Sequence, residues 1–163
     1  MIDEMVYIVD EEDNVVGSVP RSRMRTENLR HRVVRIFLFN SKGEMFVHQR
    51  TFEKDIYPGY FDTAIAGTVT SGDYEENAVR ELEEEVGIKG QRLEFLFKHK
   101  LEDTFTLAYR CVYDGPLRLQ KEEIIDGRFI PIDEVKELII REKFHPDGIV
   151  AFEKYLNKYL VTP

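Results

Sequence analysis

One helix, residues 73–87, constrains the fold most, because both of its ends are marked in the sequence. Asp73 is a good N-cap, and Glu76, three residues later, completes a capping-box pattern. Gly87 suits the left-handed conformation that commonly ends a helix. The pattern therefore predicts a helix over residues 74–86, with a loop at each end.

Short apolar runs on both sides of this helix predict strands. Shorter helices are expected at 21–28, from Pro131 and after Pro146, and no linker or repeat interrupts the chain. These patterns favour an α/β (α+β) fold, a mixed β-sheet sandwiched between helices, in a single domain over residues 1–163. The strand runs, of which the first two and the next two are predicted hairpins, are 6–9, 15–19, 33–40, 45–49, 63–70, 93–100, 104–113 and 124–130.

The charge of the chain restricts its partners. A net charge of −8 and a pI near 5.1 argue against binding to nucleic acid or to an anionic membrane. No apolar run approaches the ~18 residues of a membrane span, and the first residues lack the pattern of a signal peptide. We therefore expect a cytoplasmic protein with a small-molecule partner, and a homodimer is possible because two-fold dimers are the commonest assembly.

The helix carries two separate faces when its residues are placed at ~100° intervals. Three glutamates share an arc in which they repel one another, and a hard cation such as Mg²⁺ would reverse that repulsion. A solvated acidic face is the alternative interpretation of the glutamates alone. The predicted core face consists of Ala78, Val79, Leu82 and Val86, the acidic arc consists of Glu81, Glu84 and Glu85, and Glu83 falls outside both.

The full pattern around this helix resembles the second half of the Nudix box, a family motif with a Gly-containing turn before it. Seven specified positions match, namely Arg80, Glu81, Leu82, Glu84, Glu85, Gly87 and Ile88. The resemblance implies a Nudix-like mixed sheet between helices. It also implies that Glu81, Glu84 and Glu85 bind Mg²⁺, with Mn²⁺ possible, and that Arg80 orients them by ion pairing. The implied activity is hydrolysis of a diphosphate linkage in a nucleoside diphosphate derivative or a related small molecule.

The first half of the box departs from the family pattern. Asp73 occupies the position of the family's first glutamate, and the spacing from there to Arg80 is one residue short. That glutamate usually has a structural role, which Asp73 could fill as an N-cap. The departure leaves the predicted metal ligands intact and puts the geometry of the loop in question.

Segments outside the box resemble the isopentenyl-diphosphate isomerase-like branch of the superfamily. They are residues 29–32, 34–50 and 57–63. Isomerases of that branch need a catalytic cysteine and a metal-binding histidine shortly after the last segment, and the matching positions here are predicted to be Ala64 and Gly67. We therefore expect a hydrolytic relative. A non-catalytic or isomerase-like Nudix-fold protein that binds a diphosphate ligand is the alternative.

Three further residues are candidates for binding and proton transfer. Arg50, at the end of a strand, and Arg32, in a local basic stretch, are predicted to bind phosphate. Glu123 lies on a loop that resembles the one carrying the general base in many Nudix enzymes, and Glu84 is the next candidate for that base. The competing interpretation is that these are solvated charges. His31 could approach the site if the isomerase-like layout holds.

Overall fold

The computed structural model describes residues 2–160, which form a strand-rich fold with four α-helices. Within that range no helix is long and apolar enough to cross a membrane. The elements are β1 (Met5–Val9), β2 (Val15–Pro20), α1 (Arg21–Thr26), β3 (His31–Phe39), β4 (Met45–Arg50), β5 (Phe61–Asp62), β6 (Ile65–Thr68), α2 (Tyr74–Val86), β7 (Glu94–Lys100), β8 (Thr104–Val112), β9 (Ile124–Ile130), α3 (Ile132–Arg141) and α4 (Pro146–Tyr155), which a π-helical turn (Leu156–Leu160) continues.

Strand β3 is the centre of the sheet. It pairs in parallel with β8 over its whole length, from His31 opposite Thr104 to Phe39 opposite Val112. On its other edge it pairs antiparallel with β6. β7 continues the sheet beyond β8, and the β1–β2 hairpin joins β3 near its start. Parallel and antiparallel neighbours on one strand make this a mixed sheet.

The predicted second hairpin, between β3 and β4, is correct only at its turn. Phe39 pairs with Met45, and the two strands then separate. Both edges of β3 are already occupied by β6 and β8, so β4 pairs with β5 and β9 instead. The separation divides the sheet into a part around β3 and a part around β4.

Alternate residues of β3 belong to two different cores, which is the expected behaviour of a strand that is buried on both faces. Phe37 and Phe39 pack with residues of α3 and α4. Val34, Ile36 and Leu38 pack instead with the apolar side of α2. This arrangement confirms a mixed sheet sandwiched between helices.

Helix α2 has the predicted limits and caps. The Asp73 side chain accepts a hydrogen bond from the Glu76 amide at 2.8 Å, and the Glu76 side chain accepts one from the Asp73 amide at 3.1 Å. Gly87 adopts φ 74°. The predicted core face is wrong at Val79, which is 41% exposed, whereas Glu85 is buried.

The fully buried side chain of Asn77 explains the rotation of this face. Asn77 accepts a hydrogen bond from the Thr70 amide and donates to the carbonyls of Ser71 and Asp73. These bonds hold the preceding loop against the helix, so the shorter box still forms an ordered loop–helix junction. As a result, the side of α2 that carries Asn77 and Glu85 faces inward, and Val79 faces outward.

Candidate active site

Glu81 and Glu85 lie on the inward side of α2, next to strand β6. Glu85 is 7% exposed and Glu81 is partly buried. The Glu81 carboxylate lies against Gly67, where a Cβ atom would come 2.3 Å from its Cδ. The absence of a side chain at position 67 therefore makes the space that this carboxylate occupies.

Both carboxylates have a pKa above the ordinary value for glutamate. Burial raises the pKa of Glu81 to about 7, and the charge of Glu84 adds to this while Arg80 opposes it. Burial also raises the pKa of Glu85, and Glu81 adds to that effect. Among residues 2–160, no Lys or Arg forms an ion pair with either carboxylate. The pair therefore has cations in its surroundings, Arg80 acting on Glu81 and Lys54 and Arg50 acting on Glu85, but no direct ion-pair partner.

Glu84 and Glu83 both face outward on α2. The predicted acidic arc is unequal in burial, since Glu85 is buried and Glu84 is exposed. Within the described part of the chain, no three His, Cys, Asp or Glu side chains are arranged to hold a metal ion by themselves. Any bound cation would have to complete its ligand shell with water and substrate oxygens.

Arg80 does not form the predicted ion pair with Glu84 among the described contacts. Its guanidinium donates to the Thr70 hydroxyl at 2.7 Å and to the Asn77 side chain. Arg80 therefore helps Asn77 to hold the loop before α2, while its charge still acts on Glu81. The physical reason is the direction of side chains on a helix: they lean toward its N-terminus, so Arg80 reaches back to Asn77 and the loop before the helix and not forward to Glu84.

Arg50, at the end of β4, is held by backbone carbonyls. Its guanidinium donates to the carbonyls of Tyr57 at 3.3 Å and Ile56 at 3.0 Å. Among residues 2–160 it has no carboxylate within ion-pair distance, although its charge acts on Glu85. An arginine fixed in this way keeps its full positive charge available near the carboxylate pair.

Glu123 lies immediately before β9 and forms an ion pair with Lys54. Thr51 joins the two loops involved: its amide donates to the Glu123 carbonyl at 3.1 Å, and its hydroxyl donates to the Glu122 carbonyl at 3.1 Å. The charge of Glu123 raises the pKa of Glu85, so the two carboxylates are electrostatic neighbours. The predicted base therefore lies beside the carboxylate pair and is held by its loop.

Arg32 is engaged elsewhere. Its guanidinium bonds the Asp13 carboxylate at 2.8 Å and lies over the Tyr74 ring at 4.9 Å from the centroid. Most of the surrounding basic stretch is paired in the same manner, as in Arg21 with Glu4, Arg23 with Glu27 and Arg25 with Asp55. A phosphate contact by Arg32 stays a prediction, and Arg50 is the better placed of the two.

A cavity of about 520 Å³ lies on the other side of β6 from Glu81. Arg35, Arg50 and Lys54 line it, and so does His31, which is buried. The side chains of β6 that share the face of Arg35 and Val33 are Ala66 and Thr68, by strand pairing.

That pairing corrects the comparison with the isomerases. Ala64 is packed in the apolar core, and the Cβ direction of Gly67 faces Glu81, not the cavity. Ala66 and Thr68 are therefore the residues of β6 that present side chains to the cavity. Neither Ala66 nor Thr68 supplies a thiol or an imidazole. The expectation of a hydrolytic relative, which is based on the absence of these two groups, is therefore unchanged.

Sequence patterns did not identify Lys54, Asn77 or the buried ion pair of Arg35 with Asp62. Arg35 donates to Asp62 at 2.9 and 3.1 Å, and both side chains are almost fully buried. Two features of the sequence could have indicated them: Arg35 is a charged residue in the otherwise apolar run 33–39 of β3, and Asn77 is a polar residue on the inner side of α2. Neither feature indicates which residue Arg35 or Asn77 would contact.

Comparison with known proteins agrees with this geometry. The model of the NUDIX domain matches residues 29–151. A Nudix hydrolase of Pseudomonas aeruginosa is 40% identical over 159 residues and covers 94% of each chain. The Nudix hydrolase YfcD of Escherichia coli is 34% identical, covering 95% of this chain and 88% of its own. Both relatives are described as uncharacterized.

Solved structures agree as well. A protein of Deinococcus radiodurans superposes with a TM-score of 0.82 at 25% identity, covering 93% of this chain and 98% of its own. The Nudix domain of Shewanella oneidensis NrtR, solved with ADP ribose, superposes with a TM-score of 0.62 at 14% identity, covering 86% of this chain and 99% of its own. A mixed sheet packed against a carboxylate-bearing helix is therefore a Nudix fold. The chain belongs to the Nudix family, and it is a Nudix-type pyrophosphohydrolase.

Proposed function

We propose that this enzyme hydrolyses a diphosphate linkage in a nucleoside diphosphate derivative or a related small molecule, with Mg²⁺ as its cofactor. The observation that carries the proposal is the buried pair Glu81 and Glu85, which has no ion-pair partner among the described residues and lies near Arg50 and Lys54. Two carboxylates without ion-pair partners, with the charges of Arg50 and Lys54 acting on one of them, support a site for a metal and a phosphorylated ligand together.

The residues present fit a divalent cation. Gly67 leaves room for the Glu81 carboxylate, and Glu85 is buried beside it. Mg²⁺ is commonly held by one or two carboxylates, several waters and substrate phosphates, not by a complete protein cage. A bound Mg²⁺, or Mn²⁺, would neutralise diphosphate charge and lower the pKa of a coordinated water.

The protein groups divide the remaining tasks. Arg50 and Lys54 would bind phosphate oxygens, Arg50 from a fixed position because two carbonyls hold its guanidinium. Glu123 would accept a proton from the attacking water, from a position held by Thr51. Glu84, at the exposed edge of α2, is the second candidate for that proton, and Arg80 keeps the loop before α2 in place.

The test measures phosphate release by the purified full chain from a panel of nucleoside diphosphate derivatives, with and without Mg²⁺. Glu85→Gln should lower kcat by about 10² or more, the scale for loss of transition-state charge stabilisation. Glu83→Gln is the matched control, because Glu83 is exposed and contacts only Lys89 among the described ion pairs. An equal loss of kcat in Glu85→Gln and Glu83→Gln would contradict the assignment of Glu85 to the active site.

Thermal stability provides a second readout that does not depend on turnover. A cation that binds only the folded protein raises Tm, so Mg²⁺ should raise the Tm of the parent and of Glu83→Gln, and much less that of Glu85→Gln. If Mg²⁺ and diphosphates bind but no panel member is hydrolysed, the non-catalytic alternative is correct.

A further inference from the structure

The cavity beside β6 has two chemically different ends. Near the carboxylate helix it is lined by Arg50 and Lys54, which are cationic. At the other end it is lined by His31, Asp103 and Asp147, which present acceptors. Arg21 and Arg25 also line the cavity and act on His31, but each is already paired with a carboxylate, Glu4 and Asp55 respectively. Arg35, which is paired with Asp62, also lines the cavity, and its charge acts on both Arg50 and Asp147.

The fold brings the acceptor residues together. His31 and Thr104 are opposite each other at the starts of the parallel strands β3 and β8, and the His31 amide donates to the Asp103 carbonyl at 3.1 Å. Asp147 lies in the first turn of α4. Burial raises the pKa of Asp147; Arg35 opposes this shift and the charge of Asp103 adds to it, so the two carboxylates are neighbours.

His31 supplies an acceptor that the protein itself leaves unused. The side chain is 3% exposed, and its Nδ1 lies 2.9 Å from the carbonyl oxygen of Leu29. A carbonyl only accepts, so Nδ1 carries the proton, and burial lowers the pKa of the ring so that it is neutral. Nε2 is then a lone-pair acceptor, with no hydrogen-bond partner among residues 2–160.

Two more observations show that the protein does not satisfy this end of the cavity. The hydroxyl of Thr104, a residue that is 5% exposed, has no partner in the described part of the chain. Asp103 and Asp147 form no ion pair there either, in contrast to Asp55, which pairs with Arg25 across the same cavity. Buried polar groups are normally hydrogen-bonded, so unsatisfied ones call for a partner from outside the chain.

We propose that the end of the cavity formed by His31, Asp103, Thr104 and Asp147 is a specificity subsite for a hydrogen-bond-donating group of the substrate, a hydroxyl or an amino group. This rests on the proposed function, since the diphosphate of the same substrate would bind at the Arg50 end. An alkyl or prenyl group there would leave the acceptors unpaired and buried, and an anionic group would face two carboxylates.

The experiment compares three diphosphate monoesters of equal chain length: 2,3-dihydroxypropyl, 3-aminopropyl and propyl diphosphate. Calorimetry measures their binding to the full chain with Mg²⁺ present, and phosphate release measures kcat/KM. At least one donor-bearing ester should bind about tenfold or more tightly than the propyl ester, as expected for hydrogen bonds to charged acceptors. The preferred ester identifies the donor as hydroxyl or amino. Equal or tighter binding of propyl diphosphate, or no binding of any ester, would overturn the subsite.

Two variants test whether these residues cause the preference. Asp147→Asn and, separately, Asp103→Asn keep the side-chain shape and remove the charge, so each should reduce the preference for a donor-bearing ester over propyl diphosphate severalfold. Asp133→Asn is the control, since Asp133 is exposed on α3. A preference that survives both substitutions would contradict the assignment. A binding preference without phosphate release would support the subsite and refute the proposed function. Phosphate release at equal kcat/KM for all three esters would support the proposed function and refute the subsite.

Discussion

Asp13 and Glu85 are buried to nearly the same degree, 8% and 7% exposed, but their surroundings differ. Asp13 accepts hydrogen bonds from Arg32 at 2.8 Å, from the Tyr74 hydroxyl at 2.8 Å and from Lys98 at 2.5 Å. No donor of this kind reaches Glu85 among the described contacts. Asp13 therefore joins the β1–β2 turn to the sheet and to α2, while the Glu85 carboxylate is left for a ligand.

Replacing Asp13 with Asn should destabilise the fold by about 1–3 kcal/mol, because three donors lose a charged acceptor. Burial acts to raise the pKa of Asp13, but the bonds from Lys98, Arg32 and Tyr74 outweigh it and lower the pKa. A carboxylate whose pKa is lower in the folded state stabilises the folded protein fully at a pH above its unfolded pKa, about 3.9. That stabilisation is lost as the pH falls through the folded pKa.

Urea unfolding at pH 7 and pH 3 checks this expectation. The difference in free energy of unfolding between the parent and Asp13→Asn should be larger at pH 7 than at pH 3. Asp133→Asn, on the exposed surface of α3, serves as the control at both pH values. A difference that is independent of pH would mean that Asp13 is not ionised in the folded protein.

At the scale of elements, the contact between β6 and α2 sets the position of Glu81. Gly67→Ala would place a Cβ 2.3 Å from the Glu81 Cδ and displace that carboxylate. Since a misplacement of about 1 Å in a site can cost about 10² in rate, kcat should fall on that scale while the fold is kept. Gly17→Ala is the matched control, because nothing lies within 4 Å of a Cβ at that position. Parental activity in Gly67→Ala would show that Glu81 does not need this position.

The loop before β9 carries the predicted base. Glu123→Gln should depress kcat at neutral pH with Mg²⁺ affinity nearly unchanged, and higher pH should partly restore the rate as hydroxide replaces the base. The comparison is a pH–rate profile of Glu123→Gln beside Glu122→Gln, since Glu122 is exposed one residue earlier. If both variants keep the parental rate and the same acidic limb, the base lies elsewhere, with Glu84 next.

Local patterns predicted the elements well and their contacts less well. The limits and caps of α2 follow from Asp73, Glu76 and Gly87, which act within one turn of the helix. The side of α2 that faces the core cannot be predicted from these residues, because the hydrogen bonds of Asn77 to the preceding loop determine which side turns inward. Periodicity likewise indicates that β3 is a strand and cannot say that β6 and β8 will exclude β4 from its edges. The roles predicted for Glu81 and Glu85 required a family motif, since spacing alone also fits a solvated acidic face.

For the whole molecule, the Arg35–Asp62 pair connects the two parts of the split sheet. Arg35 belongs to β3 and Asp62 to β5, and both side chains are almost fully buried. Burial acts to raise the pKa of Asp62, but Arg35, His145 and His48 lower it overall. Breaking a buried pair leaves one charge uncompensated, which costs about 3–5 kcal/mol.

Asp62→Asn should therefore remove a large share of the stability, given that single domains are typically stable by about 5–15 kcal/mol. Urea unfolding monitored by circular dichroism measures this loss. Arg23→Gln breaks an exposed pair with Glu27 instead and should leave the unfolding midpoint unchanged. Equal midpoints for the parent and Asp62→Asn would mean that the pair contributes nothing net to the fold.

The position of β3 also determines when the active site can exist. Its parallel partner β8 lies about seventy residues further along the chain, and non-local pairing of this kind slows folding to about milliseconds or seconds. Both cores share β3, and the cavity is lined by residues from the starts of β3 and β8. During synthesis on the ribosome, the nascent chain therefore cannot assemble this cavity until β8 has emerged from the exit tunnel, although α2 and its glutamates are translated earlier.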